Sequence, residues 1–208
     1  MTDKPMAYTE ITDTVVNKVR LTLMTPRNAS PVLHIGQDIL ADTGVVLLAQ
    51  AADVRKDNGE IACAYVLAGE LKGRGQAKSG FCAIVNGFLT IGVANATPML
   101  EQALATDGYF FRQYPLVVAN QVVENKPKGR TYRKALVEQN GIHSVVLSKD
   151  RLTFDEFSQV LVQLGVNNAI YLVGASAYGF AKDADGHRFT FGQPDAEAYG
   201  NTNYIVWR

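Results

Sequence analysis

A serine lies among glycine and alanine residues directly after an apolar run of the chain. The run Ala169 to Val173 leads into Gly174-Ala-Ser176-Ala-Tyr-Gly179. Small residues at the end of a strand indicate that backbone or a ligand must approach closely there. The pattern differs from the G-x-S-x-G nucleophile elbow, because its last glycine comes one residue late and a turn sequence follows where the elbow needs a helix. The segment therefore argues against a serine hydrolase.

Two strongly hydrogen-bonding side chains, Arg112 and Gln113, interrupt an otherwise apolar and aromatic stretch from Tyr109 to Val117. A guanidinium offers paired donors to a phosphate, and aromatic rings offer faces to sugar rings. The stretch could thus bind an anion or a sugar. Alternatively, Arg112 occupies the solvent face of an alternating strand, and the residues alone leave both interpretations open.

A basic segment, KPKGRTYRK, runs from Lys126 to Lys134 and contains a single aromatic residue. A solvated loop is the default interpretation of such a run of charge. A rim that faces a phosphate group is the alternative.

Metal-ligating residues are sparse, because the three histidines are scattered and form no zinc-ligand spacing. Asp183 and Asp185 precede Gly186 in a turn sequence, and no glutamate follows at the twelfth place of a calcium-binding loop. We expect no bound metal and no cofactor. Cys63 and Cys82 lie in apolar runs and are predicted to be buried free thiols.

Composition limits the class of protein further. A chain of 208 residues with 47% apolar and 19% charged residues can bury most of one core. Twenty acidic and twenty basic side chains cancel, so no basic stripe predicts nucleic acid as a partner. No apolar run approaches the roughly 20 residues of a membrane-spanning helix. The polar N-terminus lacks the pattern of a signal peptide, which leaves location open between the cytoplasm and export with the signal removed.

The elements that position these residues are mostly strands. The predicted strands are Val15 to Met24, Val45 to Gln50, Ile61 to Ala68, Phe81 to Val85, Phe88 to Val93 and Asn168 to Val173. Asn86-Gly87 predicts a two-residue hairpin. Thr97 caps one short helix, and a capping box at Thr153 opens a second helix that Gly165 closes. The pattern predicts a single-domain α+β fold with a mixed or antiparallel β-sheet core and a few packed helices.

The order of these segments from about Val45 onward resembles the phosphodiester glycosidase family. The segments that carry the resemblance are Gly69-Glu70, Arg112 to Val117, Arg133 to Leu136, the Thr153-capped helix ending at Gly165, the strand Asn168 to Leu172 with its small-residue turn, and Asn201 to Trp207. They span about four fifths of the chain. The resemblance implies one glycosidase-like domain over residues 45–208, preceded by N-terminal strands or an extension over residues 1–44.

The family resemblance also implies a function, which is hydrolysis of the glycosidic bond of sugar-1-phosphodiesters. Arg112 and Arg133 would neutralise phosphate, while Ser176 and Asn203 would bind sugar or phosphate oxygens. The substrate-binding residues implied in this way are Arg112, Gln113, Arg133, Gly174, Ser176 and Asn203. A catalytic acid would come from Glu70 or Asp107.

The chain departs from the family pattern at the end of the strand that leads into the small-residue turn. The family has a pattern like L-D-G-G-G-S there, whereas this chain reads Leu172-Val-Gly-Ala-Ser176. Val173 therefore occupies the aspartate position. The asparagine- and glycine-rich segment early in the family's domain is also altered, to Ala49-Gln-Ala-Ala-Asp53-Val-Arg55. Glycosidic cleavage normally uses an acid together with a base or nucleophile, so this loss weighs against turnover.

Three functions are compatible with these residues. The first is a hydrolase of sugar-1-phosphodiesters. The second is a catalytically degenerate protein that binds a carbohydrate or a sugar phosphate. The third is a structural domain in which Arg112 and Arg133 form buried ion pairs. The first two imply a carbohydrate or sugar-phosphate ligand as partner, and neither nucleic acid nor membrane.

Overall fold

Tight turns containing asparagine or glycine join neighbouring strands along the chain. The structure is a computed structural model that describes residues 5–194 and 200–208. The turns Asn17-Lys18 and Asn86-Gly87 have positive φ at both central residues, as type I′ hairpin turns require. The hairpin predicted at Asn86-Gly87 is confirmed. The prediction of one strand from Val15 to Met24 is wrong, because the turn at Asn17-Lys18 divides that stretch between two strands.

Seventeen strands are present in the described ranges. In chain order they are β1 (Tyr8–Val16), β2 (Val19–Arg27), β3 (Pro31–Ile35), β4 (Leu47–Gln50), β5 (Tyr65–Leu67), β6 (Glu70–Gly73), β7 (Gly80–Val85), β8 (Phe88–Val93), β9 (Tyr109–Gln113), β10 (Pro115–Val118), β11 (Gln121–Val122), β12 (Thr131–Gln139), β13 (Ile142–Leu152), β14 (Asn168–Leu172), β15 (Gly179–Lys182), β16 (Arg188–Phe191) and β17 (Asn203–Trp207).

The strands form three sheets. The first has seven strands in the order β1-β2-β13-β12-β14-β10-β11, the second has five in the order β16-β15-β4-β17-β3, and the third has five in the order β6-β5-β9-β7-β8. The ladders between these strands are antiparallel. The predicted α+β class with a largely antiparallel core is therefore confirmed.

Two α-helices follow the capping signals in the sequence. The Thr97 hydroxyl accepts a hydrogen bond from the amide of Met99 and begins α1 (Pro98–Ala105). Thr153 and Glu156 form a reciprocal capping box at the start of α2 (Phe154–Leu164), which ends at Gly165 in the left-handed conformation. Both predicted helices are confirmed. A 3₁₀ helix spans Gln37–Ala41.

Both faces of the first sheet are covered, which explains why its central strands bury consecutive residues. Ala135 and Val137 of β12 pack in a cluster with Phe157 of α2 on one face. Leu136, between them, packs on the opposite face in the cluster that joins the three sheets, which also contains Leu47 of β4. Successive side chains of a strand point to opposite faces, so residues 133–137 of β12 are buried on both faces of the sheet.

The ends of β4, β9 and β14 converge at the main chain of Ala51. The carbonyl of Ala51 accepts a hydrogen bond from Val173 N at 3.4 Å and one from Gln113 Nε2 at 3.3 Å. Three sheets thereby meet at one point, at the exit of the apolar strand β14.

Residues ahead of the resembling segment take part in these sheets. β2 pairs with β13, and β3 pairs with β17. No helix within the described ranges is long and apolar enough to cross a membrane.

Candidate functional site

The small-residue segment 173–177 forms a turn that is fixed by main-chain hydrogen bonds. Ala175 N donates to the carbonyl of Tyr132 at 3.0 Å, and Ala177 N donates to the carbonyl of Gly174 at 3.1 Å. Ala175 has a φ of 49°, a left-handed conformation that is uncommon for a residue with a Cβ atom. The turn is therefore held against the first residues of β12 in a defined conformation.

Gly174 has a physical reason to be glycine, which is the close approach of a tyrosine hydroxyl. A Cβ atom at this position would collide with Tyr171 Oη, and it would lie 2.9 Å from Tyr171 Cζ and 3.3 Å from the carbonyl of Tyr132. The absent side chain thus allows Tyr171 to reach past the turn. At this strand exit, the glycine allows the Tyr171 side chain to approach the main chain of the turn closely.

Lys134 extends from β12 into the same turn and is 4% exposed. Its Nζ donates to the carbonyl of Ala177 at 2.5 Å and lies 3.5 Å from the carbonyls of Val173 and Ala175. Among the described residues, no carboxylate pairs with it. Burial lowers the pKa of the Lys134 amine to about 7. A buried ammonium with only carbonyl partners attracts anions into its surroundings.

The turn borders a cavity of about 530 Å³. The residues that line it are Thr131, Tyr132, Arg133, Lys134, Leu147, Ser148, Arg151, Ala175, Ser176, Phe191, Gly192 and Gln193. Three of them carry basic side chains, and no aspartate or glutamate occurs among these described lining residues. Cationic side chains within low-dielectric walls concentrate negative charge. The cavity is therefore suited to an anionic ligand with hydroxyl groups.

A second, smaller cavity of about 350 Å³ shares Ser176 and Gln193 with the first. Its lining residues are Gln50, Val173, Gly174, Ser176, Ala177, Gln193 and Pro194. The two cavities therefore meet at Ser176. Val173, which the family resemblance places at an aspartate position, lines this open space and does not lie in a closed core.

Arg133 enters the site from the side of the sheet that α2 covers. Its Nε donates to the carbonyl of Leu152 at 2.9 Å and its Nη2 donates to the carbonyl of Gly129 at 2.5 Å. The guanidinium carbon lies 4.1 Å from the centre of the Phe154 ring. The aromatic face and the carbonyls hold the guanidinium at the edge of the larger cavity.

The basic segment from Lys126 to Lys134 divides into two parts. Lys126 and Lys128 are exposed, as the interpretation of a solvated loop expects. Arg133 and Lys134 belong to β12, are buried and border the cavity. This placement fits the alternative of a basic rim that faces a ligand.

Arg112 is 2% exposed, so its placement on a solvent-facing strand surface is wrong. Its Nη1 donates to the carbonyls of Lys78 and Ala94, at 3.2 and 2.7 Å, and its Nη2 donates to the carbonyl of Asn95 at 2.9 Å. It lines neither of the two cavities at Ser176. The structure brings Arg112 to a main-chain cluster and does not bring it to the cavity at Ser176.

Gln113, which is buried, belongs to a polar cluster with the partly exposed Asp53 and Lys78. Gln113 Nε2 donates to Asp53 Oδ2 at 3.1 Å, and Lys78 Nζ donates to Gln113 Oε1 at 3.2 Å and forms an ion pair with the Asp53 carboxylate. The amine also lies 4.6 Å from the centre of the Tyr114 ring. Burial lowers the pKa of Lys78 to about 8, so it remains largely protonated at neutral pH.

Asn203 fixes the main chain that connects this cluster to β4. Its Oδ1 accepts a hydrogen bond from Ala52 N at 2.8 Å, and its Nδ2 donates to the carbonyl of Ala52 at 3.0 Å. The side chain is buried and satisfied by backbone. Asn203 therefore positions the Ala51-Ala52 segment beside Val173.

Glu70 and Asp107 lie near each other at a different place. Both are exposed, and Glu70 pairs with Lys72 at 2.5 Å. Asp107 stands beside Gly69, whose amide donates to the carbonyl of Gly108. Asp107 precedes β9 at the end away from Gln113, and neither carboxylate lines a cavity that contains Ser176. Their catalytic role stays a prediction from the resemblance.

The turn predicted at Asp183 is present. The Asp183 carboxylate accepts hydrogen bonds from the amides of Asp185 and His187 at 3.0 and 2.8 Å. The ligand atoms of these three residues lie within 4.8 Å of one another, but the bonds within the turn account for this arrangement. The thiols of Cys63 and Cys82 are free and buried, as predicted.

Sequence reasoning did not single out Asp53, Lys78 or Lys134 as site residues. Lys134 lay within the basic segment, and Asp53 lay within the altered early segment. Nothing in the sequence marked the pairing of Asp53 with Lys78, because it depends on how the third sheet packs against β4.

Comparisons with known proteins show the fold. No family model matches the chain, and no curated protein matches it in sequence. The catalytic domain of zebrafish N-acetylglucosamine-1-phosphodiester alpha-N-acetylglucosaminidase, auto-inhibited by its pro-peptide, is similar in structure with a TM-score of 0.64 and 11% identity over 99% of this chain and 84% of that chain. A hypothetical protein from Synechocystis has a TM-score of 0.69 and 14% identity over 97% of this chain and 62% of that chain. The chain thus shares its fold with a phosphodiester glycosidase domain.

Proposed function

We propose that this protein is a hydrolase-like domain that cleaves the glycosidic bond of sugar-1-phosphodiesters at the turn 173–177. The observation that carries the proposal is the cavity of about 530 Å³ at this turn, whose described lining residues include three basic side chains and no carboxylate. The similar zebrafish domain is, by its name, an N-acetylglucosaminidase acting on a 1-phosphodiester. A sugar-1-phosphodiester has both the anionic group and the hydroxyl groups that this cavity suits.

The phosphate binds in the larger cavity, near Arg133, Lys134 and Arg151. Lys134 is buried without a carboxylate partner, so an anionic ligand offsets the cost of desolvating its charge. Arg133 is held in place by Phe154 and by two carbonyls, and a guanidinium that needs no rearrangement binds phosphate with little loss of entropy. Phosphate oxygens thus meet cations that are positioned in advance.

The sugar occupies the smaller cavity beside Gly174 and Ser176. The amide side chains of Gln50 and Gln193, which also line this space, offer donors and acceptors to hydroxyl groups. Ser176 belongs to both cavities and lies at the junction between sugar and phosphate. The scissile bond would therefore lie close to the turn.

The remaining predicted residues act at a distance from the ligand. Gln113 and Asn203 position the Ala51-Ala52 segment, which borders the smaller cavity through Gln50. Arg112 stabilises the main chain behind Gln113. Glu70 and Asp107, at the opposite end of β9, do not contact a ligand bound in these two cavities.

The second candidate function is a binding protein that recognises a carbohydrate or sugar phosphate without turnover. The observation that favours it is Val173, which faces the smaller cavity where the family has a carboxylate. A valine can neither donate nor accept a proton in glycosidic cleavage. Both functions use the same cavities and differ in whether product forms.

Release of free sugar from a panel of sugar-1-phosphodiesters, nucleotide sugars included, tests the two functions. Wild type, Arg133→Ala and the control Arg27→Ala, an exposed arginine paired with Glu10, are compared. The hydrolase reading predicts turnover by wild type and by Arg27→Ala, and its loss in folded Arg133→Ala. Saturable binding without product, measured by calorimetry on the same panel, would support the binding protein instead. The absence of both binding and product would contradict both functions.

A further inference from the structure

We propose that the larger cavity binds a phosphodiester whose second substituent, beyond the phosphate, carries an aromatic ring that packs between Phe191 and Tyr132. This inference rests on the proposed function and names the substrate class of the same site. It follows from the size of the cavity, from the strands that supply its two walls, and from two aromatic side chains that remain open to it.

The larger cavity has room for more than a phosphate group. Its volume is about 530 Å³, within the range of about 300–1,000 Å³ that holds whole drug-sized ligands. The proposed function assigns the sugar to the smaller cavity, which the larger one meets at Ser176. The rest of the larger cavity is therefore left for the group on the other side of the phosphate.

The first sheet supplies one wall of the larger cavity, through β12 and β13. Tyr132 and Lys134 are two residues apart in β12, so their side chains point to the same face of the sheet. Directly opposite them in β13 lie Arg151 and Leu147, respectively. The same face carries Leu136, which packs in the cluster that joins the three sheets. This wall, which combines apolar and cationic side chains, is therefore turned toward the second sheet.

Phe191 supplies the opposite wall, from the end of β16 in the second sheet. It pairs with Gly179 of β15, and a Cβ atom at Gly179 would collide with the Phe191 ring, so the ring lies close against this glycine. The chain then joins the turn, where Gln193 N donates to the carbonyl of Ser176 at 2.9 Å. The ring centre lies 5.6 Å from Lys134 Nζ. The aromatic wall therefore adjoins the position assigned to the phosphate.

Two aromatic rings that line the cavity remain open to it. Tyr132 is 49% exposed, and Phe191 is half-buried and has Phe189 of its own strand as a neighbour, with ring centres 6.4 Å apart. Aromatic rings attract one another at centre distances of about 4.5–7 Å. The cations Lys134 and Arg151 attract the negative face of an aromatic ring, and an alkyl chain has no such face. The walls together therefore favour an aromatic substituent.

The test compares three α-linked phosphodiesters of N-acetylglucosamine 1-phosphate, whose second substituents are benzyl, cyclohexylmethyl and methyl. Cyclohexylmethyl has as many carbon atoms as benzyl but no flat ring. All three substituents leave as alkyl phosphates when the bond to the anomeric carbon breaks, so rate differences arise from binding of the substituent. We expect wild type to have a kcat/KM for benzyl about tenfold or more above that for methyl, and about threefold or more above that for cyclohexylmethyl.

Phe191→Leu and Tyr132→Leu each replace a ring with an aliphatic chain. We expect the benzyl-to-methyl ratio of kcat/KM to fall to within about threefold of unity in Phe191→Leu and to fall by about threefold or more in Tyr132→Leu. The ratio compares two substrates on the same folded molecules, so partial unfolding does not change it. Tyr132 is exposed, so its variant should fold even if Phe191→Leu does not.

Phe189→Leu is the matched control. Phe189 lies two residues before Phe191 in β16 and lines neither cavity at Ser176, so its variant should keep the wild-type ratio. Tyr132→Phe retains the ring and should keep the ratio as well.

Equal kcat/KM for benzyl and methyl in wild type, or a benzyl preference that survives both leucine variants, would overturn the inference while the hydrolase function stands. An equal preference for benzyl and cyclohexylmethyl would overturn the requirement for an aromatic ring. If no product forms from any of the three, the hydrolase function fails, and the ratio of calorimetric dissociation constants measures the same preference: a ratio of about tenfold supports the aromatic substituent, and equal constants overturn it. The absence of both turnover and binding would overturn the inference together with the proposed function.

Discussion

Two buried arginines, Arg112 and Arg133, occupy similar local environments and differ in what lies beside them. Each guanidinium donates to main-chain carbonyls, and each lies over a phenylalanine ring, Phe110 at 5.6 Å and Phe154 at 4.1 Å. Arg133 borders the cavity of about 530 Å³, whereas Arg112 lines neither this cavity nor the smaller one at Ser176. A buried arginine in a strand is therefore no sign of an anion site unless open space adjoins it.

Both buried guanidinium groups are stabilised by hydrogen bonds to main-chain carbonyls. Neither arginine forms an ion pair with a described carboxylate, so the prediction that both form buried ion pairs in a structural domain is not met within the described residues. Arg112 joins three carbonyls from two segments and acts as a link within the third sheet. Arg133 joins two carbonyls and leaves the edge of its cavity positively charged. The first region serves stability, and the second can serve a ligand.

The largest expected effect is on stability, from Arg112→Met. The substitution leaves three carbonyls, those of Lys78, Ala94 and Asn95, without their donor. We expect the free energy of unfolding to fall by about 3–5 kcal/mol, because unsatisfied buried carbonyls cost about 1–3 kcal/mol each and part of the loss is relieved by water. Urea denaturation measures it, with Arg27→Met as the exposed control. A stable Arg112→Met that no longer binds sugar phosphate would reverse the assignment of the two regions.

The second effect is on ligand affinity, from Arg133→Lys. Lysine retains the charge but cannot reproduce the two hydrogen bonds to the carbonyls of Leu152 and Gly129 that hold the Arg133 guanidinium in place. We expect affinity for N-acetylglucosamine 1-phosphate to fall by about 10- to 100-fold, which calorimetry would detect. The matched change Arg112→Lys should leave the affinity of the folded fraction within about threefold of wild type, because Arg112 borders none of these cavities. Equal losses of affinity in both variants would contradict the assignment of the ligand site to Arg133 and not to Arg112.

A third, smaller effect concerns the turn itself and is produced by Gly174→Ala. The new methyl group would collide with the hydroxyl of Tyr171 and crowd its ring carbon Cζ. We expect a loss of about 1–3 kcal/mol in unfolding free energy, since crowding in a packed site typically costs that much. Tyr171→Phe should restore part of it in the double variant. Gly129→Ala, where an added Cβ meets open space, is the control, and an equal loss there would refute the steric explanation.

The smallest effect, taken over a single pH unit, is the pH dependence of stability that Lys134 contributes. Burial lowers its pKa to about 7 in the folded chain, against about 10.4 in the unfolded chain. Between these values the unfolded chain binds more protons, so stability should rise with pH, by at most about 1.4 kcal/mol per pH unit for this group. Below about pH 7 both states are protonated and the cost of burying the ammonium is undiminished. Thermal denaturation as a function of pH measures this rise.

Lys134→Met should reduce the rise without abolishing it, because burial also lowers the pKa of Lys78, to about 8. An unchanged slope in Lys134→Met would contradict the burial of an unpaired ammonium in the turn.

The sequence predicts those structural features that depend only on residues close together in the chain. Caps at Thr97 and Thr153, the hairpin at Asn86-Gly87 and the strand β14 are local patterns, and the structure confirms each. Ser176 and Arg133, which the family resemblance grouped in one site, line the same cavity. These features require no knowledge of how the sheets pack.

The remainder of the site depends on contacts between sheets, which local patterns do not encode. Arg133 and Lys134 are adjacent residues of one strand, and alternation would expose one of them. Both are buried because α2 covers one face of the first sheet and the other sheets cover the opposite face. The contact of Asp53 with Lys78 and Gln113 joins β9 with the segments that follow β4 and precede β7, so no motif could reveal it.

The most direct test of the site is to map the amides that respond to a sugar phosphate. Two-dimensional NMR of the labelled protein with N-acetylglucosamine 1-phosphate should show saturable shifts at residues 131–134, 173–177 and 191–193, which border the two cavities. The same titration with Arg133→Lys should require higher concentrations for the same shifts. Shifts confined to residues 69–73 and 105–109, around Glu70 and Asp107, or no saturable shifts at all, would contradict the account.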